Sequence, residues 1–208
     1  MGDERRRVRN ARGEGGRLRR DLIDAAARLL GEGATHETLS LRAVAREVGI
    51  ATTSVYLHFP DRTALLTAVY QERFGELTTF LREAAAGTPE PAGQLRACCL
   101  AYERFALERP NAYRVLFDVP GIQQDPPPGV AREDLPGVLF FDTMRGLVER
   151  CMDAGEARRA DPVLATTCLI AALHGMASLR INRPSYPWPP IEVVVDHLLR
   201  TQVGRASA

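Results

Sequence analysis

The stretch "SLRAVAREVGIATTSVYLHF", Ser40 to Phe59, constrains this chain more than any other. Leu41, Val44, Ala45 and Val48 recur at helical spacing, Ser40 stands where a capping oxygen belongs, and Gly49 interrupts the pattern. Glycine suits the tight turn that must follow if a second helix starts at once. That second helix, predicted from about Thr52 to Leu57, devotes Ala51, Thr52, Thr53 and Ser54 to small or hydroxylated side chains before an aromatic cluster. A helix that only filled a core would not be built this way, so it presents a surface.

Two helices joined by a glycine turn, the second short and polar outside, are the parts of a helix-turn-helix whose second helix enters a DNA major groove. Small residues at its start let the backbone come close to the duplex. The hydroxyls of Thr52, Thr53 and Ser54 can bond phosphates or base edges, and threonine methyls can touch a thymine methyl. Tyr56 and His58 lie at the far end, within reach of the sugar-phosphate backbone, and Arg42 and Arg62 extend that clamp.

The remaining pattern is helical throughout. Leu18, Leu22, Ala25 and Leu29 give one stripe from about Arg17 to Leu30. Asp61 is placed to cap a long helix, 61–86, that carries Leu65, Leu66, Val69, Tyr70, Phe74, Leu77 and Leu81. "AAAGTPEPAG", Ala84 to Gly93, breaks the pattern and reads as a domain boundary. Stripes return from Leu95 to Ala106 and in "NAYRVLFDV"; Gly121 to Asp134, with three consecutive prolines, is a loop. Helices over about 135–154 and 162–182 and a closing segment "IEVVVDHLLRTQV" complete an all-α chain of about nine helices, with no internal repeat.

In order, Ala45–Ile50 ("AREVGI"), the short helix, "YLHF" at 56–59 and a basic residue three positions later resemble the DNA-binding motif of the TetR family of transcriptional regulators, over about residues 17–70. Arg62 stands where that family usually has lysine and reaches a phosphate as a fork rather than a point charge. Ala51 replaces a common serine, so the capping oxygen is expected from Thr52, and Thr53 replaces a frequent glycine. "LHGMASLRINRP", "NAYRVLF" and Trp188 are similar to a subgroup whose eighth helix carries a His-Gly pair. The resemblance implies a homodimer in which helices 162–182 and 191–203 pack on their symmetry mates. Val193, Val194, Leu198 and Leu199, apolar on a terminal helix with little chain left to cover them, agree with that.

The expected organisation is an arginine-rich, disordered arm over 1–16, a helix-turn-helix unit over 17–62, and a ligand-binding and dimerisation unit over 63–208, bridged by helix 61–86. Tyr102, Phe105, Tyr113, Phe117, Phe140, Phe141, Met144, His174 and Met176 are the candidates for lining an apolar ligand site, since apolar helices with a few polar atoms form such concavities. Gly175 beside His174 would permit close approach. The same residues also fit an ordinary core.

Other classes are disfavoured. "GEGG", Gly13 to Gly16, has no preceding strand and is not a phosphate loop, and no G-x-S-x-G elbow occurs, so an enzyme is not expected. Cys98, Cys99, Cys151 and Cys168 are irregularly spaced and His36, His58, His174 and His197 are scattered, so neither metal nor cofactor is expected. The longest apolar runs contain polar residues and fall short of a membrane span, and the polar N-terminus carries no secretory signal, which together read as cytoplasmic. The alternatives kept are a ligand-independent architectural DNA-binding protein and, behind it, a small helical enzyme. The favoured reading is a regulator of double-stranded DNA, a repressor on an inverted-repeat operator, released by a small apolar effector.

Net charge is only +1, yet residues 1–20 hold eight arginines against three carboxylates, so the positive charge sits at one end. All 27 basic residues are arginine. Deleting residues 1–14 should therefore flatten the salt dependence of DNA binding, because each phosphate neutralised adds about 0.9 to the slope of log affinity against log salt. Gel-shift titrations at several salt concentrations measure that slope, and an unchanged one makes the arm a bystander.

Overall fold

The computed structural model describes residues 14–35, 37–117, 131 and 135–204, so the arm up to residue 13, His36 and nearly all of the 121–134 loop lie outside the described residues. Among the described residues there are nine α-helices and no strand: α1 (Glu14–Gly31), α2 (Leu41–Val48), α3 (Thr52–Val55), α4 (Arg62–Ala85), α5 (Pro91–Glu108), α6 (Pro110–Phe117), α7 (Pro136–Asp153), α8 (Pro162–Asn182) and α9 (Ile191–Leu198). A π-helical turn, Leu199–Val203, prolongs α9.

Local chemistry sets the helix ends. Ser40 Oγ accepts from the Ala43 amide at 3.1 Å, Asp61 Oδ1 from Ala64 at 2.8 Å, and Asp161 Oδ1 from Val163 at 2.9 Å. Each satisfies at least one amide of a first turn that has no partner inside its helix, Asp161 taking Leu164 as well. Gly49 closes α2 at φ 78°, a left-handed conformation that glycine adopts without steric cost, and the Ile50 amide reaches back to the Ala45 carbonyl at 2.9 Å.

Three expectations need correction. The helix after the turn is a single turn, Thr52–Val55, with Ala51 at its N-cap and no side-chain capping bond, so Thr52 does not supply the cap. Helix α1 begins at Glu14, so the last residues assigned to the arm are helical. Finally, the 84–93 segment is not a domain boundary. The helices on either side of it pack in one core, where Leu77 and Leu81 of α4 meet Ala92, Leu95 and Cys99 of α5.

Two hydrophobic clusters organise the chain. The first joins α1, α2, α3 and the start of α4 through Leu22, Ala26, Val44, Val55, Phe59, Leu65 and Val69. The second begins one residue later, at Tyr70, and gathers α4 to α9 around Leu77, Leu95, Tyr102, Phe105, Met144 and Leu173. Helix α6 straddles both, with Val115 in the first and Tyr113 and Leu116 in the second. Its Asn111 lies so close to Gly31 that a Cβ there would come within 2.9 Å of Asn111 Cβ. Arg73 of α4, its side chain only 13% exposed, pairs with Asp24 of α1 at 2.8 Å and with Glu76 at 3.0 Å.

Helix α8 overturns the reading that no apolar run is long enough to span a bilayer. It has 21 residues, and an 18-residue window within it has a mean hydropathy of 1.6. Leu169, Leu173 and Ala177 bury one face of it in the second cluster, while Leu164 and Leu179 stay exposed.

One buried group is at odds with its surroundings. Glu103 of α5 is 1% exposed, and neither carboxylate oxygen has a hydrogen-bond partner among the described residues. Desolvation raises its pKa from 4.5 to about 7, against the opposing pull of Arg180. The folded chain thus holds this proton more tightly than the unfolded chain. The stability linked to it is full below about pH 4.5 and is lost as pH rises toward 7. Glu103→Gln keeps the shape without the charge, so it should stabilise the protein at pH 8 by roughly 1–3 kcal/mol, a few degrees in Tm, with the advantage vanishing near pH 4.5. Thermal unfolding of both proteins at the two pH values measures it.

Candidate functional site

The turn and α3 stand at one end of the first cluster. Val55 and Phe59 anchor the segment from beneath, at 0% and 2% exposure, and Arg19 of α1 lies over the Phe59 ring at 5.1 Å. With those two residues held, the rest of the segment faces outward. Tyr56 is 56% and Leu57 83% exposed, Thr53 is exposed, and Thr52, Ser54 and His58 are half-buried. Arg42 is exposed on α2 beside them. Arg62 is held back, because its guanidinium donates to the Glu37 carbonyl at 2.9 Å. To reach a phosphate it must exchange that bond. The exposed Arg17, Arg20 and Arg46 lie in this half of the molecule together with the exposed Asp21, Glu32, Glu37, Glu47 and Asp61, and the tip of the face is hydroxyl-rich.

Of the nine candidates for a ligand site, five come together in the second cluster. Tyr102 stacks on Phe140 at 6.0 Å, Tyr113 lies 4.9 Å from Phe117 and 5.7 Å from the His174 ring, and Phe117 lies 5.0 Å from His174. A polar thread runs through these rings. The Tyr102 and Tyr113 hydroxyls are 3.3 Å apart, and the Tyr113 hydroxyl is 2.6 Å from His174 Nδ1. It ties α5, α6 and α8 together at one point.

The other four candidates do not join this group's ring contacts. Phe105 is buried against Phe80 at 5.7 Å, with Arg109 over its ring. Met144 is fully buried, whereas Phe141 and Met176 are half-buried. Gly175 makes no close approach within the chain, since a Cβ there would meet nothing within 4 Å. Sequence reasoning also missed residues. Phe74 touches Phe117 at 5.9 Å and Phe140 at 6.1 Å, so it belongs to the aromatic group. Beside it, between α4 and α7, open grooves of ≈ 440 Å³ and ≈ 360 Å³ carry Arg82 and Arg150. Helical spacing marks Phe74 as inward but says nothing of its partners.

The terminal helices also differ from expectation. Val193 is 57% exposed and Val194 half-buried, but Leu199 is buried and Leu198 packs on the second cluster. Those last two therefore close this chain's own core. The outward apolar residues here are Val163, Leu164, Leu179 and Val193. No group of three or more metal-ligating side chains occurs among the described residues.

Tyr113→Phe deletes the hydroxyl that serves both Tyr102 and His174. It should lower stability by about 1–2 kcal/mol, because the hydrogen bonds of that hydroxyl are lost while the ring packing survives. Chemical denaturation with an unchanged m-value would register the loss.

Comparison with known proteins places both halves of the chain. Residues 22–69 match the family described as bacterial regulatory proteins, tetR family, and residues 95–202 match the tetracyclin repressor-like C-terminal domain. A protein of unknown function from Rhodococcus sp. RHA1 is 26% identical with a TM-score of 0.73, over 99% of this chain and 100% of that one. A TetR family transcription regulator from Marinobacter aquaeolei VT8 has a TM-score of 0.75 at 15% identity, over 93% and 98% of the two chains. The transcriptional regulator FadR from Bacillus subtilis, in complex with stearoyl-CoA, has a TM-score of 0.68 at 16% identity, over 88% and 97%. At such identities the last two share the fold alone. With a helix-turn-helix in the first cluster and one family model covering more than half of its length, this chain belongs to the TetR family of transcriptional regulators.

Proposed function

We propose that this regulator is a cytoplasmic homodimeric repressor that holds an inverted-repeat operator until a small, largely apolar ligand releases it. The observation that carries the reading is the outward face of Thr53, Tyr56 and Leu57 above two fully buried anchors. In this reading Thr52, Thr53 and Ser54 meet base edges and phosphates, while Tyr56, His58, Arg42 and Arg62 hold the backbone. Residues up to about 62 bind DNA, and the remainder binds ligand and dimerises through α8 and α9. The exposed Val163, Leu164, Leu179 and Val193 support that pairing. One short helix reads only a few base pairs, so two must act together on half-sites about one helical turn apart, or somewhat more. The stearoyl-CoA bound by the FadR relative supports an effector with a long aliphatic part.

The test is a gel shift with palindromic duplexes from beside the gene. Tyr56→Phe and Arg62→Ala should weaken binding to all duplexes, whereas Thr53→Ala should change the ranking of operator variants, each lost base contact costing about 1–3 kcal/mol. A monomer that binds no duplex at modest salt would overturn the reading. A saturating effector should lower operator affinity roughly 5- to 150-fold, the range of a typical coupling free energy.

A further inference from the structure

Two buried polar groups beside the second cluster each lack what the other could supply. Glu103 of α5 holds two carboxyl oxygens and Arg180 of α8 an Nε–H donor, all shielded from water and none with a hydrogen-bond partner among the described residues. The charge of Arg180 acts on Glu103, yet the two side chains make no ion pair. A donor and an acceptor of opposite charge stay apart in a dry site only if something else holds one of them.

Arg180 is held by a competing partner. Its Nη2 donates to the Pro189 carbonyl at 2.6 Å, and its guanidinium lies over the Trp188 ring. Nε and Nη2 form one edge of the guanidinium fork, the edge with which Arg96 grips both oxygens of Asp196 at 2.6 Å and 3.1 Å. In Arg180 that edge is half used. A carboxylate that took all of it would displace the Pro189 carbonyl. Pro189 stands just before α9, which begins at Ile191, so this one bond fastens the corner between α8 and α9.

Which partner Arg180 keeps depends on the proton of Glu103. A neutral carboxyl is a weak acceptor, so the carbonyl wins. An ionised carboxylate buried without a partner is costly, and a charge-assisted bond is about twice as strong as a neutral one. Burial lifts the Glu103 pKa to about 7, so both forms are populated near neutral pH. The charged groups on the other helices packed against α5 are engaged elsewhere or turned to water. Arg73 with Glu76 on α4, Arg145 with Glu149 on α7, and Asp196 of α9 with Arg96 are paired, and His174 of α8 bonds Tyr113. Arg82 of α4, Arg150 of α7, and Glu192 and His197 of α9 are exposed. Of the described cations around it, the half-buried Arg114 of α6 included, Arg180 is the one that pulls on Glu103.

We propose that Glu103 and Arg180 are the two halves of a proton-operated latch on the corner between α8 and α9. With Glu103 protonated, Arg180 holds the Pro189 carbonyl and covers Trp188. When the proton leaves to solvent, Arg180 turns its Nε and Nη2 edge to the carboxylate and the corner is released. The outward Val193 lies in the first turn of α9 directly beyond that corner, so release loosens the apolar face there. The bearing on a dimer rests on the pairing through α8 and α9 proposed above; the latch itself does not.

Nuclear magnetic resonance of the full chain, titrated from about pH 5.5 to 8.5, tests the latch, since the one tryptophan gives one indole N–H signal. That signal and the Arg180 Nε–H signal should move together, with a midpoint near pH 7. Glu103→Gln, which keeps the shape of the side chain, should hold both at their acid positions. Arg180→Lys, which keeps the charge but has no fork, should stop the indole from following the titration. His197→Gln should leave the wild-type curve unchanged, which separates Glu103 from the exposed histidine of α9. An indole that does not move with pH, one that moves alike in Glu103→Gln, or a curve lost in His197→Gln would overturn the latch. Sedimentation below and above the midpoint then tests the dimer. Its dissociation constant should rise about fivefold in the wild type, the low end of a typical coupling, and stay level in Glu103→Gln. If the resonances titrate while the dimer is equally tight throughout, its link to the latch falls; if the chain is a monomer at every pH, the dimer falls and the resonances still decide the latch.

Discussion

The structure depends on one uninterrupted rod. Val69 and Tyr70 are neighbours in α4, yet one is packed in the first hydrophobic cluster and the other in the second. A helix that is hydrogen-bonded across that seam cannot bend there without losing backbone bonds, so displacement at one end is carried to the other. Two further ties cross the same gap: the Arg73–Asp24 pair, and the close packing of Asn111 on Gly31. Only the absence of a side chain at Gly31 lets α6 sit so near α1. The two halves are therefore fastened at three places around the seam, and a change in α4 tilt must be accommodated at the other two.

The second cluster handles its polar atoms in two different ways. Along Tyr102, Tyr113 and His174 each buried group finds another, and the thread fixes the mutual rotation of three helices. Glu103 and Thr166, equally buried, have side-chain oxygens without hydrogen-bond partners among the described residues. Leaving such buried groups unpaired is costly, while the thread makes the contact of α5 and α6 with the middle of α8 specific. Well-paired and unpaired buried groups thus occur on the same helix, α8.

What was legible in the sequence was what is decided locally. Ser40, Asp61 and Gly49 act on residues three or four positions away, so type and spacing were enough to place them. The one-turn length of α3 was not legible, because Tyr56 and Leu57 continue a helical pattern while the chain turns to bury Phe59. The aromatic stripe on α5 was visible, but Tyr102 and Phe105 point to different partners, and only the placement of α6, α7 and α8 separates them. The α4–α7 groove was invisible for the same reason: Arg82 and Arg150 are 68 positions apart, and nothing in either neighbourhood announces the other. Glu103 could have been flagged. It is a lone carboxylate inside "CCLAYERFA", on a face that otherwise reads as buried.

The Pro-rich corner after α8 gathers the one tryptophan of the chain into a small assembly of its own. Trp188 donates its indole N–H to the Arg183 carbonyl at 3.0 Å, lies 4.4 Å from the Tyr186 ring and has the Arg180 guanidinium 5.8 Å from its ring centre. Emission excited at the red edge of the protein absorption therefore comes from this corner alone. It reports on the junction of α8 with α9, far along the chain from the helix-turn-helix, and is blind to fraying of α1 to α3. An unfolding curve followed by fluorescence and one followed by helical circular dichroism will observe different parts of the same molecule.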